Sequence, residues 1–245
     1  MTYTGYFNSI KNVAYSVAFT VPDGTSTQKE IILSDDAVTI DYTGGDDNIY
    51  IPLRPSTAKV NVLTNGASDL MQELYTGSAK GVKVTITQLS DSTVVWAGWV
   101  TPNSYDSDYS GETDKFEVSC DDGLTMLSNL KYRSTSKSVL TVKDIILKIL
   151  QQCEVYTNLY IHNSFTVDGL TSDCPISDLY LPESLFFDKK DDNTQTDDDV
   201  AWSCQEALTE ICRWLNMCMV AYGDSVYIID LDALKAGNTS FSKIL

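Results

Sequence analysis

The segment Asp106-Ser107-Asp108-Tyr109-Ser110-Gly111-Glu112-Thr113-Asp114-Lys115-Phe116-Glu117 has the residue types and spacing of a calcium loop. Asp106, Asp108, Ser110 and Asp114 fall at positions 1, 3, 5 and 9, Gly111 at 6, Glu112 at 7 and Glu117 at 12, the order an EF-hand uses. Two features argue the other way. Thr113 stands where that loop carries an apolar residue, and the flanks read as strands, with Pro102 before and Phe116 to Cys120 after. Without two helices to hold it, the segment is expected to be an acidic hairpin connection, and no metal is assigned. Asp191, Asn193, Gln195 and Asp197 form a poorer ladder, because Thr196 replaces the glycine and Trp202 the bidentate glutamate. A solvated surface loop is expected there.

Other reactive patterns are thin. His162 is the only histidine, and Ser164, two positions on, would share its strand face. No Gly-x-Ser-x-Gly elbow accompanies them, so an ordinary polar histidine is expected. The 34 acidic residues make chance carboxylate pairs plentiful, and no spacing singles out an acid and a nucleophile. Gly44-Gly45 and Gly123 fit turns rather than a phosphate loop. No catalytic residue and no cofactor site are assigned. Trp96, Trp99, Tyr105 and Tyr109 gather around one strand end. Opposite strand parity sends one tryptophan inward, and Trp96 is the one expected in the core. That leaves Trp99, Tyr105 and Tyr109 as candidate contact residues for a protein or a sugar.

The local signals are strongest for architecture. Leu140-Thr141-Val142-Lys143-Asp144-Ile145 reads as a helix start, with Thr141 as N-cap, Asp144 three residues on and Leu140 stapled to Ile145. From Thr141 to Cys153 the residues Ile145, Ile146, Ile149 and Leu150 form one apolar stripe. Gln205 to Leu215 is a second helix, followed by a hairpin of Met217 to Ala221, a turn at Tyr222-Gly223-Asp224, and Val226 to Ile229. Earlier, Val13 to Val21 alternates as a half-buried strand, and Glu30 to Leu33, Val38 to Tyr42, Ala58 to Leu63, Val82 to Gln88, Thr93 to Val100 and Phe116 to Cys120 follow. Ser68 to Tyr75 is one short helix among them. The expected fold is α+β and mainly β: a β-barrel or sandwich over residues 1–133, then a smaller α+β module over residues 134–245 with two helices and a C-terminal hairpin.

Composition narrows the function. Seventeen basic against 34 acidic residues give a formal charge of −17, which repels phosphate and argues against gripping nucleic acid by its backbone. The six cysteines match neither CxxC pairs nor a finger spacing, so buried, reduced thiols are expected. Met1 to Thr20 lacks the apolar run of a signal peptide, and the longest apolar stretch, Val94 to Val100, is too short to span a bilayer. No membrane insertion is expected.

In order, these segments resemble the hub or baseplate proteins of bacteriophage and prophage tails, of the tail-tube-like kind. The resemblance rests on Tyr3-Thr4-Gly5-Tyr6-Phe7, the strand at Val13 to Val21, Pro52 to Leu63 and Val94 to Asn103. It rests above all on Phe116 to Leu127, where a strand gives way to an Asp-Gly-Leu turn and a short helix. The stapled helix at Thr141 and the helix-hairpin from Trp202 to Asp230 arrive in that family's order. It implies a tube-like barrel, a homo-oligomeric ring around the tail lumen, and docking to tube, tape-measure, spike or fibre proteins. It also implies a virion location after assembly in the bacterial host cytoplasm, and no enzymatic activity. Such hubs usually continue beyond a hairpin like this one, so a truncated chain or a short relative is expected. Two rivals stand beside it. A carbohydrate- or receptor-binding module would rest on the 14 tyrosines and four tryptophans, and a glycan array separates it. A tail-associated hydrolase would use acidic residues near His162, and a polysaccharide digestion assay decides that case.

Overall fold

The computed structural model describes residues 1–22, 27–42, 51–64, 68–108, 114–134, 136–162, 175–188 and 200–244. The chain divides into two compact units: Met1–Gly45, Pro55–Thr125 and Ala221–Asp224 form one, and Asp46–Arg54, Met126–Val220 and Ser225–Leu245 the other. Residue 133, the expected boundary, lies within the second unit, which takes in Met126–Val220.

The first unit is built from β1 (Thr2–Asn8), β2 (Ala14–Thr20), β3 (Gln28–Glu30) and β4 (Ile32–Tyr42). After β5 (Leu53–Arg54), which pairs in the second unit, come β6 (Ser56–Thr64), α1 (Ser68–Leu74), β7 (Lys83–Gln88), β8 (Val94–Asp108) and β9 (Asp114–Asp122). These make one sheet of eight strands in the order β3-β1-β2-β7-β8-β9-β6-β4. Period-two alternation explains the layering. Val17, Phe19, Val60, Val62, Val84, Ile86, Phe116 and Val118 point to one face and are buried there, with Leu70 and Leu74 of α1 packed in. The expected closed barrel does not form among the described residues, since the outer strands β3 and β4 share no ladder. The sheet curls instead. Gly5 of β1 lies so close to β4 that a Cβ there would come within 2.7 Å of Leu33 Cγ.

Two irregularities were hidden from periodicity. β8 runs eight residues past its expected end at Val100, because the register shifts between Val100 and Tyr105 and the bulge accommodates Pro102, which has no N–H to offer. The expected strands around Leu33 and Val38 are one strand, β4, interrupted by a bulge across residues 34–37.

The second unit follows α2 (Gly123–Met126) and contains β10 (Val139–Thr141), α3 (Val142–Gln151), β11 (Asn158–His162), β12 (Tyr180–Pro182), β13 (Phe187–Asp188) and β14 (Val200–Ala201). α4 (Cys204–Trp214), β15 (Met217–Tyr222), β16 (Ser225–Asp230), α5 (Leu231–Lys235) and β17 (Phe241–Lys243) complete it. A five-stranded sheet runs β17-β11-β16-β15-β5, and β10-β12 and β13-β14 are two-stranded ribbons. α3 starts as expected: Thr141 accepts from the Asp144 N–H, and Val142, Ile145, Ile146, Ile149 and Leu150 are buried. α4 carries a full capping box between Ser203 and Glu206 and buries Ala207, Leu208, Ile211 and Cys212. The hairpin turn requires its glycine. Gly223 has φ of +60°, and a Cβ there would lie 2.2 Å from Val94 O, within the first unit. The short α5 and the edge strand β17 had no sequence signal strong enough to anticipate. The described fold is α+β and mainly β.

Candidate functional site

Two buried carboxylates among the described residues, Asp122 and Glu183, sit in bonding sets that hold backbone. Asp122, 1% exposed, ends β9. One carboxylate oxygen accepts from Ser56 N at 2.7 Å and Ser56 Oγ at 2.9 Å. The other accepts from Thr125 N at 2.8 Å and Thr125 Oγ1 at 2.9 Å. Ser56 Oγ in turn accepts from Trp96 Nε1 at 3.0 Å. Burial pushes the Asp122 carboxyl above its ordinary range, opposed by these four donors. The Asp-Gly-Leu turn is thus a latch: Asp122 caps the first turn of α2 and pins the start of β6.

Glu183 is the counterpart in the second unit. Its side chain is 1% exposed and accepts from Tyr132 Oη at 2.7 Å, Ser134 Oγ at 2.7 Å, Ser138 N and Oγ at 3.1 Å each, and Lys148 Nζ. Burial alone would raise its pKa, but the donors, led by Lys148, outweigh that and bring it down to about 2. Lys148 also lies over the Tyr132 ring, 5.3 Å from its centroid. One carboxylate therefore gathers α3, residues 132–138 and the turn after β12. No sequence pattern exposed this cluster, because its members are 35 to 51 residues from Glu183.

His162 is buried, and its Nε2 donates to Asn238 O at 2.8 Å while the ring stacks on Phe241 at 4.7 Å. Nδ1 has no hydrogen-bond partner among the described residues. The ring thereby ties the segment before β17 to β11, and Ser164 lies outside the described residues. Tyr160 and Tyr227 stack at 4.9 Å, and Tyr227 meets Phe241 edge to face at 5.5 Å. Among the described residues no group of three or more His, Cys, Asp or Glu is placed to hold a metal ion.

The acidic segment lies on a hairpin. Asp106 pairs with Glu117 and Asp108 with Lys115 across β8 and β9, so strands flank it where an EF-hand would have helices. Asp114 begins β9, while Ser110, Glu112 and Tyr109 lie outside the described residues. Glu117 pairs with Lys59 at 2.9 Å. Tyr105 continues β8 past its bulge. Trp99 is 8% exposed and Trp96 2%, so both indoles are packed in. The second acidic ladder, at Asp191 to Asp197, also lies outside the described residues. Cys120, Cys153, Cys204, Cys212 and Cys218 are buried and form no disulfide, and burial pushes the Cys204 thiol up to about 11.

Sequence reasoning passed over one surface feature. The β1–β2 hairpin ends in Ser9-Ile10-Lys11-Asn12, and Ile10 is 108% exposed. The tip residues Ser9, Ile10 and Lys11 themselves line one side of a groove of about 530 Å³ between the hairpin and the β4 bulge. Phe7 and Tyr15 stack at 5.4 Å on the hairpin side, and Asp35, Asp36, Ala37 and Val38 form the other wall. Ser34 and Lys115 fix the bulge through Asp36, whose carboxyl the Lys115 ammonium, aided by Ser34, holds at about 2. No described helix is long and apolar enough to cross a membrane.

No protein-family model matches this chain, and neither does any curated protein. Among solved structures, the 43 kDa tail protein of prophage MuSo2 from Shewanella oneidensis is similar with a TM-score of 0.41 and 11% identity, over 78% of this chain and 54% of that one. A tail protein from Neisseria meningitidis MC58 is similar with a TM-score of 0.43 and 13% identity, over 78% of this chain and 49% of that one. The chain spans about half the length of each of these two proteins.

Proposed function

We propose that this chain is a structural component of a phage or prophage tail, placed at the tail tip or baseplate hub and without catalytic function. Element order carries the proposal. The curled β sheet, the Asp122-Gly123-Leu124 exit, the capped α3 and the α4-hairpin follow one another as in the tail-hub family that the sequence resembles. The placement of buried charge supports it. Asp122 and Glu183 spend their bonding capacity on backbone and neighbouring side chains, the use expected of a rigid building block. The mechanism is geometric: copies pack into a ring around the lumen, and the second unit docks neighbouring tube, tape-measure, spike or fibre proteins. A lumen lined by so acidic a chain, with a formal charge of −17, would let DNA pass without adhesion.

The test is immunogold electron microscopy and mass spectrometry of purified particles from an induced host. The chain is expected at the distal end of the tail. Its consistent absence from particles would end the proposal, and release of sugars from cell-wall polysaccharide by the pure protein would replace it with a hydrolase.

A further inference from the structure

Residues 238–243 form a strap along one edge of the five-stranded sheet. The strap leaves α5 at Asn238, whose N–H donates to Ala233 O at 3.0 Å. It then lies beside β11, with Phe241 opposite His162, Ser242 opposite Ile161 and Lys243 opposite Tyr160. Three residue pairs make a short ladder, so much of the hold falls to side chains. His162 supplies two such holds: the hydrogen bond from Nε2 to Asn238 O at 2.8 Å, and the stack on Phe241, with the rings 4.7 Å apart and 7° from parallel. Tyr227 braces the same phenyl ring from its edge at 5.5 Å.

A carbonyl oxygen only accepts, so Nε2 carries the proton of the neutral ring and Nδ1 is a bare lone pair. His162 is 1% exposed, and Nδ1 has no hydrogen-bond partner among the described residues. The neutral ring leaves one acceptor unfilled there. A protonated ring would bury an unmatched N–H together with a charge, which costs far more. The Phe241 face attracts a cation, but more weakly than the water it replaces. The titratable groups on the elements packed around the ring offer no relief. They are Tyr160 on β11, Tyr227 and Asp230 on β16, Asp232 and Lys235 on α5, and Lys243 on β17. Asp230 caps α5, Asp232 accepts from Asn216 Nδ2, and no ion pair reaches His162 among the described residues. The one charge on β17 is the Lys243 ammonium, which has the sign of an imidazolium.

We propose that His162 is a pH-operated latch, which holds residues 238–243 against β11 when neutral and releases them when protonated at Nδ1. Histidine is the side chain that ordinarily changes charge between about pH 5 and pH 8, and His162 is the only one in the chain. The open strap lets water solvate both ring nitrogens and so takes up a proton that the closed one disfavours. Opening is therefore promoted as pH falls. Release bares the β11 edge, a row of backbone donors and acceptors open to another strand. The latch does not depend on the tail proposal.

Hydrogen exchange of the full chain, read by mass spectrometry on peptides covering residues 238–244 and corrected for the intrinsic effect of pH, tests it. Between about pH 7.5 and pH 5.5 the wild type is expected to lose about tenfold in protection there, while peptides of α4 and β2 keep theirs. His162→Gln keeps an N–H for Asn238 O but does not titrate, so its protection should stay level with pH. A wild type whose strap protection is level would overturn the latch, and so would a glutamine variant with the wild-type pH profile. Should the glutamine variant be open at every pH, nitrogen-15 NMR of the single imidazole in the wild type decides. Protonation that coincides with loss of strap protection supports the latch, and protonation beneath a strap that stays protected overturns it.

Discussion

Glu183 shows how much one side chain can organise. Itself buried, it collects donors from Tyr132, Ser134, Ser138 and Lys148. Glu183→Gln would turn an amide NH₂ toward groups that are themselves donors, and leave Lys148 without its counter-charge. It is expected to cost about 2–4 kcal/mol at neutral pH, measured by urea unfolding. The pH dependence has a definite sign. The folded carboxyl titrates at about 2 against an ordinary 4.5, so its stabilisation is complete above 4.5 and is lost as pH falls toward 2. The gap between wild type and Glu183→Gln should therefore narrow across that window. A gap that stays constant would mean the carboxylate is not ionised in the folded chain.

At the scale of elements, caps and turns can be tested one by one. Ser203 accepts from Glu206 N at 3.1 Å, and Glu206 reaches back to Ser203 N at 2.7 Å. Ser203→Ala removes half of that box and should cost about 1 kcal/mol, read as a lowered unfolding midpoint with an unchanged urea dependence. Gly223→Ala is expected to cost more, above about 1 kcal/mol, since it adds a contact with Val94 O to an unfavourable φ. If calorimetry ranks Ser203→Ala as the costlier change, the turn is not as tight as described.

At the scale of the whole molecule, the thiols of the described residues are hidden from solvent. Five thiols, Cys120, Cys153, Cys204, Cys212 and Cys218, are buried, and burial pushes those of Cys120 and Cys212 far above their ordinary range. Alkylation with iodoacetamide followed by peptide mass spectrometry should find these five unlabelled in the native chain and labelled after denaturation. Rapid native labelling of Cys212 or Cys218 would show that the α4–β15 region opens readily. Reducing agent should leave the unfolding temperature unchanged.

The sequence by itself determined those elements whose signals are local. Thr141 announces α3 because a cap and its partner lie three residues apart. Val82 to Gln88 announces a strand because alternation needs only its own residues. Only the tertiary structure decided what depends on distant partners. The strand expected to end at Val100 is carried on to Asp108 by a bulge against β9. The Glu183 cluster joins residues dozens of positions apart, and the short β17 exists because β11 offers its edge. The same holds for the groove, since the β4 bulge that walls it is shaped by Lys115 reaching Asp36 across 79 residues. Periodicity reads only along the chain, whereas closure of the sheet, charge burial and surface shape are settled by contacts that the chain makes on folding.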